Sequence, residues 1–196
     1  YLVTSYGFAS TVEITDSKGN LVHTLASLPS TENTPSGYDN VQNTARGFDW
    51  RNDQPASIVY AMPLDSGYIK KKVPFHDAVF ALEAPFNGTP KELFKTENRY
   101  SRTNWGNDQV ALVSEQLRSK QQYKVSLYNS KLNTISTLYE GNSTDMYNNP
   151  GNPVTEKNSF GEEVLAISKD GQTIMFNNTT GASDKGDLPY LAKFNI

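Results

Sequence analysis

The two histidines of the chain are the first residues to test for chemistry, because imidazole is the side chain that titrates near neutral pH. His76 is followed by Asp77 at the start of a predicted strand, and a carboxylate beside an imidazole orients the ring in catalytic triads. Neighbouring residues of a strand point to opposite faces, so this pair is not expected to act together. His23 lies in an alternating strand pattern and is predicted to face solvent.

The patterns for metal binding and nucleophilic catalysis are missing as well. The chain has no cysteine, and no third ligand stands at a metal-binding spacing from either histidine. It has no Gly-x-Ser-x-Gly turn, and Gly181-Ala182-Ser183-Asp184 is better interpreted as a loop than as a serine site. The sequence therefore predicts no catalytic residue, no cofactor site and no metal site.

The carboxylates are scattered. Glu162-Glu163 and the pair Asp184 and Asp187 have the spacing of solvated loops, although a fold can bring two carboxylates together for acid–base work. Three further aspartates precede apolar runs, where a short acceptor side chain caps its own turn. These predicted turn formers are Asp53, Asp108 and Asp170.

Aromatic and basic residues leave two interpretations open. Trp50 and Trp105 are predicted to be core residues between neighbouring sheets, and the alternative is a stacking platform for a sugar or peptide ring. Four arginines surround the predicted innermost strands, where a guanidinium facing a channel can bind a carboxylate through two hydrogen bonds. Pairing with a nearby aspartate is the favoured alternative. The four are Arg46, Arg51, Arg99 and Arg102.

An internal repeat indicates which elements position these residues. Residues 46–61 and 102–114 both read as a short strand ending in Trp, an Asn-Asp turn and an apolar strand, and residues 165–176 form a degenerate third copy. The turn aspartates are 55 and 62 residues apart, a spacing that accommodates four strands. No helix is predicted, because the best helical stretch, 110–119, is explained by the repeat.

Further hairpins fill the repeat. They are predicted at 11–15 with 21–25, at 76–83 with 91–95 around Asn87-Gly88, and at 123–128 with 134–139. Residues 1–5 and 190–194 are predicted strands of incomplete sheets. The predicted fold is all-β, a partial β-propeller of four-stranded antiparallel blades, about two complete and two broken, with 1–196 as one fragment of the domain. Two long loops, 29–44 and 141–160, are predicted to be functional or disordered.

Composition excludes several classes of partner. A net charge of −3 gives no electrostatic footprint for nucleic acid or anionic lipid. Lys70-Lys71-Lys72 is interpreted as a solvated loop. No apolar run reaches the ~20 residues of a membrane span. No signal peptide is visible, and the start without Met is expected to reflect processing or excision.

Several segments together resemble the propeller of glutamyl endopeptidase-type members of the prolyl oligopeptidase family. The resemblance covers nearly the whole chain and is clearest from about residue 40 onward. It rests on the runs Arg46–Ala56, Ala84–Gly88, Thr96–Tyr100, Trp105–Val113 and Gly186–Asn195.

This resemblance implies a parent serine peptidase with a propeller followed by an α/β-hydrolase domain that carries a Ser-Asp-His triad. None of those catalytic residues maps onto this sequence, so the hydrolase domain is expected to lie outside it. The implied role is control of peptide access in a periplasmic or secreted enzyme, with peptides as substrates of the parent. Self-association through the edges of broken blades is also expected. The alternatives are a TolB-like propeller that scaffolds protein partners and a propeller glycosidase.

Overall fold

The computed structural model describes residues 7–196, so the predicted strand at 1–5 lies outside the described residues. Within this range antiparallel strands dominate, and two short 3-10 helices, Thr31–Asn33 and Arg118–Lys120, interrupt them. The predicted all-β class is confirmed. The chain divides into two compact units, Tyr1–Trp50 with Ala56–Glu97, and Arg51–Pro55 with Asn98–Ile196.

The first unit contains a hairpin and a four-stranded sheet. Its strands are β1 (Ser10–Thr15), β2 (Leu21–Leu28), β3 (Arg46–Trp50), β4 (Ser57–Pro63), β5 (Asp77–Glu83) and β6 (Lys91–Thr96). β1 pairs with β2, and β3 to β6 pair in chain order, each antiparallel to the next. No crossover is needed for this order, since consecutive antiparallel strands can be joined at one end of the sheet, here by the longer segment 64–76 between β4 and β5.

Local chemistry closes the first hairpin. Oδ1 of Asp16 accepts hydrogen bonds from the amides of Lys18 and Asn20 at 2.8 and 2.9 Å. Gly19 takes the positive φ of +83° that the turn requires. The hairpin packs on the four-stranded sheet through one apolar cluster. The members of that cluster are Ile14, Leu25, Phe48, Ile58, Leu82 and Phe86.

The second unit contains a four-stranded sheet, a three-stranded sheet and a two-stranded ribbon. Its strands are β7 (Arg99–Trp105), β8 (Val110–Leu117), β9 (Gln122–Asn129), β10 (Thr134–Asn142), β11 (Asn152–Pro153), β12 (Thr155–Lys157), β13 (Glu163–Leu165), β14 (Thr173–Asn178) and β15 (Tyr190–Asn195). The sheet orders are β10–β9–β8–β7 and β11–β14–β15, and β12 pairs with β13.

Aromatic packing joins the two larger sheets of this unit. Ile174 and Phe176 are buried on β14 whereas Met175 between them is exposed, which is the alternation of a strand with one face in a core. The ring of Phe176 lies 5.5 Å from that of Tyr139 and 5.0 Å from that of Phe194, measured between centroids. Face-to-face packing of successive small sheets is the arrangement expected of propeller blades.

The predicted hairpins are confirmed, and the stretch 110–119 is the strand β8 with the start of a 3-10 helix. The prediction for 141–160 as one irregular loop is wrong, because this segment carries β11 and β12. Each is only two or three residues long, too short to show a period. The third repeat is also more broken than predicted, since β13 pairs with β12 and the hairpin at 165–176 keeps one bridge, Ile167 with Ile174.

Within residues 7–196, no helix is both long enough and apolar enough to cross a membrane.

Candidate functional site

His76 stands just before β5, where its ring contacts a carboxylate that the sequence analysis did not single out. Its Nδ1 atom is 2.7 Å from Oδ2 of Asp65, and Oδ1 of Asp65 accepts the amide hydrogen of Gly67 at 2.9 Å. Asp65 is fully buried. The carboxylate thus ties the imidazole to the loop between β4 and β5. The available signal was the Asp-Ser-Gly turn pattern at 65–67.

Asp77 makes a separate ion pair. Its buried carboxylate contacts the guanidinium of Arg46, which reaches it across β4. His76 and Asp77 therefore have different partners. Nη1 of Arg46 is buried and has no hydrogen-bond partner among the described residues. Loss of either member of this pair would leave a charge in a site shielded from water.

Arg51 forms a second arginine–aspartate pair in the second unit. Its Nε and Nη2 atoms donate to the two carboxylate oxygens of Asp53 at 3.0 and 2.6 Å. The guanidinium also lies 3.9 Å from the ring centroid of Trp105, in a cation–π contact. Asp53 is therefore an ion-pair partner rather than the turn former that its position before an apolar run predicts.

The two tryptophans differ although both end the first strand of a four-stranded sheet. Trp105 is only 5% exposed, as the core interpretation predicts, and it is covered by Arg51. Trp50 is 46% exposed, so the core prediction is wrong for this residue. The ring of Trp50 meets that of Phe86 edge-on at 5.9 Å, and this contact covers only part of it.

The other two predicted turn aspartates also differ from each other. Asp170 caps its turn, since Oδ1 accepts the amide hydrogen of Gln172 at 3.1 Å and the hydroxyl hydrogen of Ser168. These bonds, the one from Ser168 first, lower the pKa of Asp170. In the turn before β8 the cap is Asn107, whose Oδ1 accepts from two amides. Asp108 is exposed there.

The remaining polar candidates lie on the surface or at its margin. Glu162, Glu163, Asp184 and Asp187 are exposed. The hydroxyl of Ser183 donates to the backbone carbonyl of Gly186 at 2.8 Å, within a turn. His23 is half-buried rather than outward-facing, because it pairs with the core residue Ile14. Among residues 7–196, no three His, Asp or Glu side chains are grouped to hold a metal ion.

One open cleft of the second unit has a volume of about 260 Å³ and lies beside the packed sheets. One row of directly opposed residues crosses all four strands of the larger sheet and lines this cleft: Arg102, Ser114, Val125 and Tyr139. Directly opposed residues of an antiparallel sheet share a face, so these four side chains lie on the face that packs against Phe176. Asn149 and Pro153 contribute to the opposite wall.

Burial and charge set the electrostatics of the cleft. Burial raises the pKa of Tyr139 above its ordinary value; the neighbouring Tyr123 adds to this rise and the positive charge of Arg102 opposes it. Glu115 is buried at the cleft and accepts the amide hydrogen of Asn98 at 2.8 Å. Lys124 stands 3.9 Å from the same carboxylate. Of these residues only Arg102 was singled out from sequence, since no pattern marks a tyrosine or glutamate that a neighbouring sheet buries.

Comparisons with known proteins agree with the resemblance seen in the sequence. No family model matches the chain. Two curated relatives are named probable glutamyl endopeptidase, chloroplastic; that of Oryza sativa subsp. japonica is 30% identical over 202 residues and that of Arabidopsis thaliana 30% over 203. Each match covers 100% of this chain, which spans 22% and 21% of those relatives. The predicted resemblance to proteins named as glutamyl endopeptidases is confirmed.

Among solved structures, the chain is similar to TolB from Acinetobacter baumannii, with a TM-score of 0.38 and 10% sequence identity. That match covers 94% of this chain and 42% of the other.

Proposed function

We propose that this relative of the glutamyl endopeptidases is the propeller portion of a serine peptidase of the prolyl oligopeptidase family, and that it controls the access of peptides to the catalytic domain. The parent enzyme would carry its Ser-Asp-His triad in an α/β-hydrolase domain outside these residues. Export to the periplasm or secretion is part of the same proposal. The observation that carries it is the match along the whole chain to proteins named as glutamyl endopeptidases.

In this proposal the chain encloses the active site of the parent enzyme and provides no catalytic residue. A serine peptidase needs a nucleophile that its base can deprotonate and donors for the oxyanion. The sequence has no Gly-x-Ser-x-Gly turn to supply that nucleophile. Packed four-stranded sheets, by contrast, make a rigid barrier that admits short or extended peptides and excludes folded proteins.

A peptidase assay of the isolated chain tests the absence of catalysis. We expect no hydrolysis of a panel of fluorogenic peptides that includes Glu at the cleavage position. His76→Asn serves as the matched control, because it removes the only imidazole that a carboxylate orients in the described structure. Activity that survives purification and disappears in His76→Asn would contradict the proposal.

Access control is tested in the protein encoded by the complete reading frame. Phe176→Ala removes a ring from the packing between the two larger sheets of the second unit, at a cost of about 3–5 kcal/mol for a buried Phe. We expect cleavage of a folded substrate to rise several-fold relative to cleavage of a short peptide. Met175→Ala is the control, since it truncates an exposed side chain on the same strand.

Phe176→Leu is the milder variant if the alanine protein does not fold, and it should shift the same ratio less. An unchanged ratio in a folded variant would contradict access control. Absence of serine-dependent peptidase activity in the complete protein would contradict the proposed parent enzyme.

A further inference from the structure

Arg102 differs from the other three arginines that surround the inner strands. Arg46 and Arg51 are held by aspartates, and Arg99 is buried at 4% exposure with partners of its own. Arg102 is exposed at the cleft, and its side chain makes no hydrogen bond or ion pair within residues 7–196. A guanidinium has five donors in a rigid fork, so this side chain keeps its whole binding capacity for a ligand.

The carboxylate of Glu115, which lines the cleft, does not pair with the guanidinium of Arg102. Glu115 has a side chain only 2% exposed, and it is bound by the Asn98 amide and approached by Lys124. Of the ionised groups at the cleft, Glu115 and Lys124 offset each other, which leaves the charge of Arg102 uncompensated. The site therefore favours an anionic ligand.

The floor beside Arg102 suits the apolar part of such a ligand. Val125 and Phe176 are buried, and Tyr139 stacks on Phe194 with ring centroids 5.3 Å apart. The hydroxyl of Tyr139 has no hydrogen-bond partner among the described residues. A phenol keeps its proton at neutral pH, and burial raises the pKa of Tyr139 further, so the group can donate this proton in a hydrogen bond.

We propose that this cleft binds a carboxylate group of a peptide, either an acidic side chain or a free C-terminus. The guanidinium of Arg102 pairs with the two carboxylate oxygens, and the hydroxyl of Tyr139 donates a further hydrogen bond. The aliphatic part of the bound residue lies on Val125 and Phe176. That the ligand is a peptide rests on the proposed function, whereas its charge and shape follow from the cleft.

The size of the cleft limits what enters it. A volume of about 260 Å³ is below the range of roughly 300–1,000 Å³ typical of pockets for drug-sized ligands. One residue of a peptide fits this space, and the rest of the peptide would extend from the open side.

Titration of the isotope-labelled chain with short blocked peptides, followed by NMR, tests the inference without any need for peptidase activity. Three N-acetylated peptides separate the two carboxylate sources: one with Glu and an amidated end, one with Gln and an amidated end, and one with Gln and a free carboxylate. We expect shifts at the cleft with the Glu peptide, the free-carboxylate peptide or both, and none with the amidated Gln peptide.

Arg102→Gln should weaken binding at least about tenfold, since the hydrogen bonds lost are made by a charged group. Arg118→Gln, an exposed arginine of the 3-10 helix after β8, is the matched control and should bind as the parent chain does. Tyr139→Phe should weaken binding to a smaller extent. Equal binding of the amidated Gln peptide, absence of binding by all three, or retention of affinity in Arg102→Gln would overturn the inference.

The two proposals fail separately. Carboxylate binding by the chain without peptidase activity in the complete protein would refute the proposed function alone, and peptidase activity without this binding would refute the site alone.

Discussion

At the scale of single residues, the chain uses ionic and hydrogen-bonded groups mainly to hold segments together. Asp65, Asp77 and Asp53 each bind a basic or imidazole group, and each is largely buried as a side chain. Breaking such a pair is expected to destabilise the fold, because the remaining group stays in a desolvated position without the opposite charge. Arg102 is the exception, and this difference is what marks the cleft.

Tyr139 provides a test of residue-scale electrostatics through the pH dependence of stability. Its folded-state pKa is raised from the ordinary value of 10.0, chiefly by burial. Above about pH 10 the unfolded chain therefore loses this proton while the folded chain retains it. The unfolded state then binds fewer protons, so the free energy of unfolding falls as pH rises.

We expect Tyr139→Phe to reduce this alkaline loss of stability, as measured by urea unfolding between pH 8 and about pH 11. Ultraviolet absorbance of tyrosinate in the folded protein reports the same shift independently. Tyr38→Phe is the control, because Tyr38 is exposed. An equal fall in stability for the parent chain and Tyr139→Phe would show that the phenol is not shielded as described.

At the scale of elements, two glycines in turns of the second unit have similar φ angles, but the atoms around them differ. Gly151 has φ +87° and Gly161 has φ +84°. A Cβ atom on Gly151 would lie 2.2 Å from the backbone oxygen of Asn177, whereas one on Gly161 would meet no atom within 4 Å. The first turn therefore depends on close approach between main chains as well as on the left-handed conformation.

We expect Gly161→Ala to cost about 1–2 kcal/mol, the strain of an L-residue at positive φ. Gly151→Ala should cost roughly 2 kcal/mol more, because β11 must move away from β14 to admit the methyl group. Chemical denaturation of both variants measures the difference in the free energy of unfolding. Equal costs would mean that the backbone of 151 moves freely away from Asn177.

These elements also show what the sequence predicted and what it did not. Strands such as β4, β5 and β8 have apolar runs bounded by turn residues, and those patterns locate them well. β11 and β12 have two and three residues, so their pairing depends on neighbouring strands rather than on a local pattern. The sequence pattern marks Arg102 as a residue near an inner strand. Its place in one row with Tyr139 depends on the strand register, which the local pattern does not show.

At the scale of the whole molecule, the outer edge of β15 is paired with no strand of residues 7–196. Among the described residues it hydrogen-bonds only to β14. The amide of Ile196 donates to the carbonyl of Gln172. Every second residue back along β15 from Ile196 therefore also directs its N–H group toward β14. The N–H groups of Leu191 and Lys193 therefore point away from β14. Exposed backbone donors and acceptors of this kind can recruit a strand from another molecule.

We expect the chain to self-associate through β15, in an antiparallel pair of two copies, with exposed Leu188 and Leu191 (each 62%) partly covered in the complex. Light scattering and sedimentation across a concentration series measure this association. Lys193→Pro should weaken it about tenfold, because the outward N–H is lost in both copies at ~0.5–1.5 kcal/mol each, while the ladder to β14 is kept.

Lys193→Ala distinguishes strand pairing from other modes of association. It keeps the N–H but removes the charge that discourages edge pairing, so this variant should associate at least as strongly as the parent chain. Association that Lys193→Pro leaves unchanged would place the contact on another surface. A monodisperse monomer at high concentration would show that the edge of β15 is protected in solution.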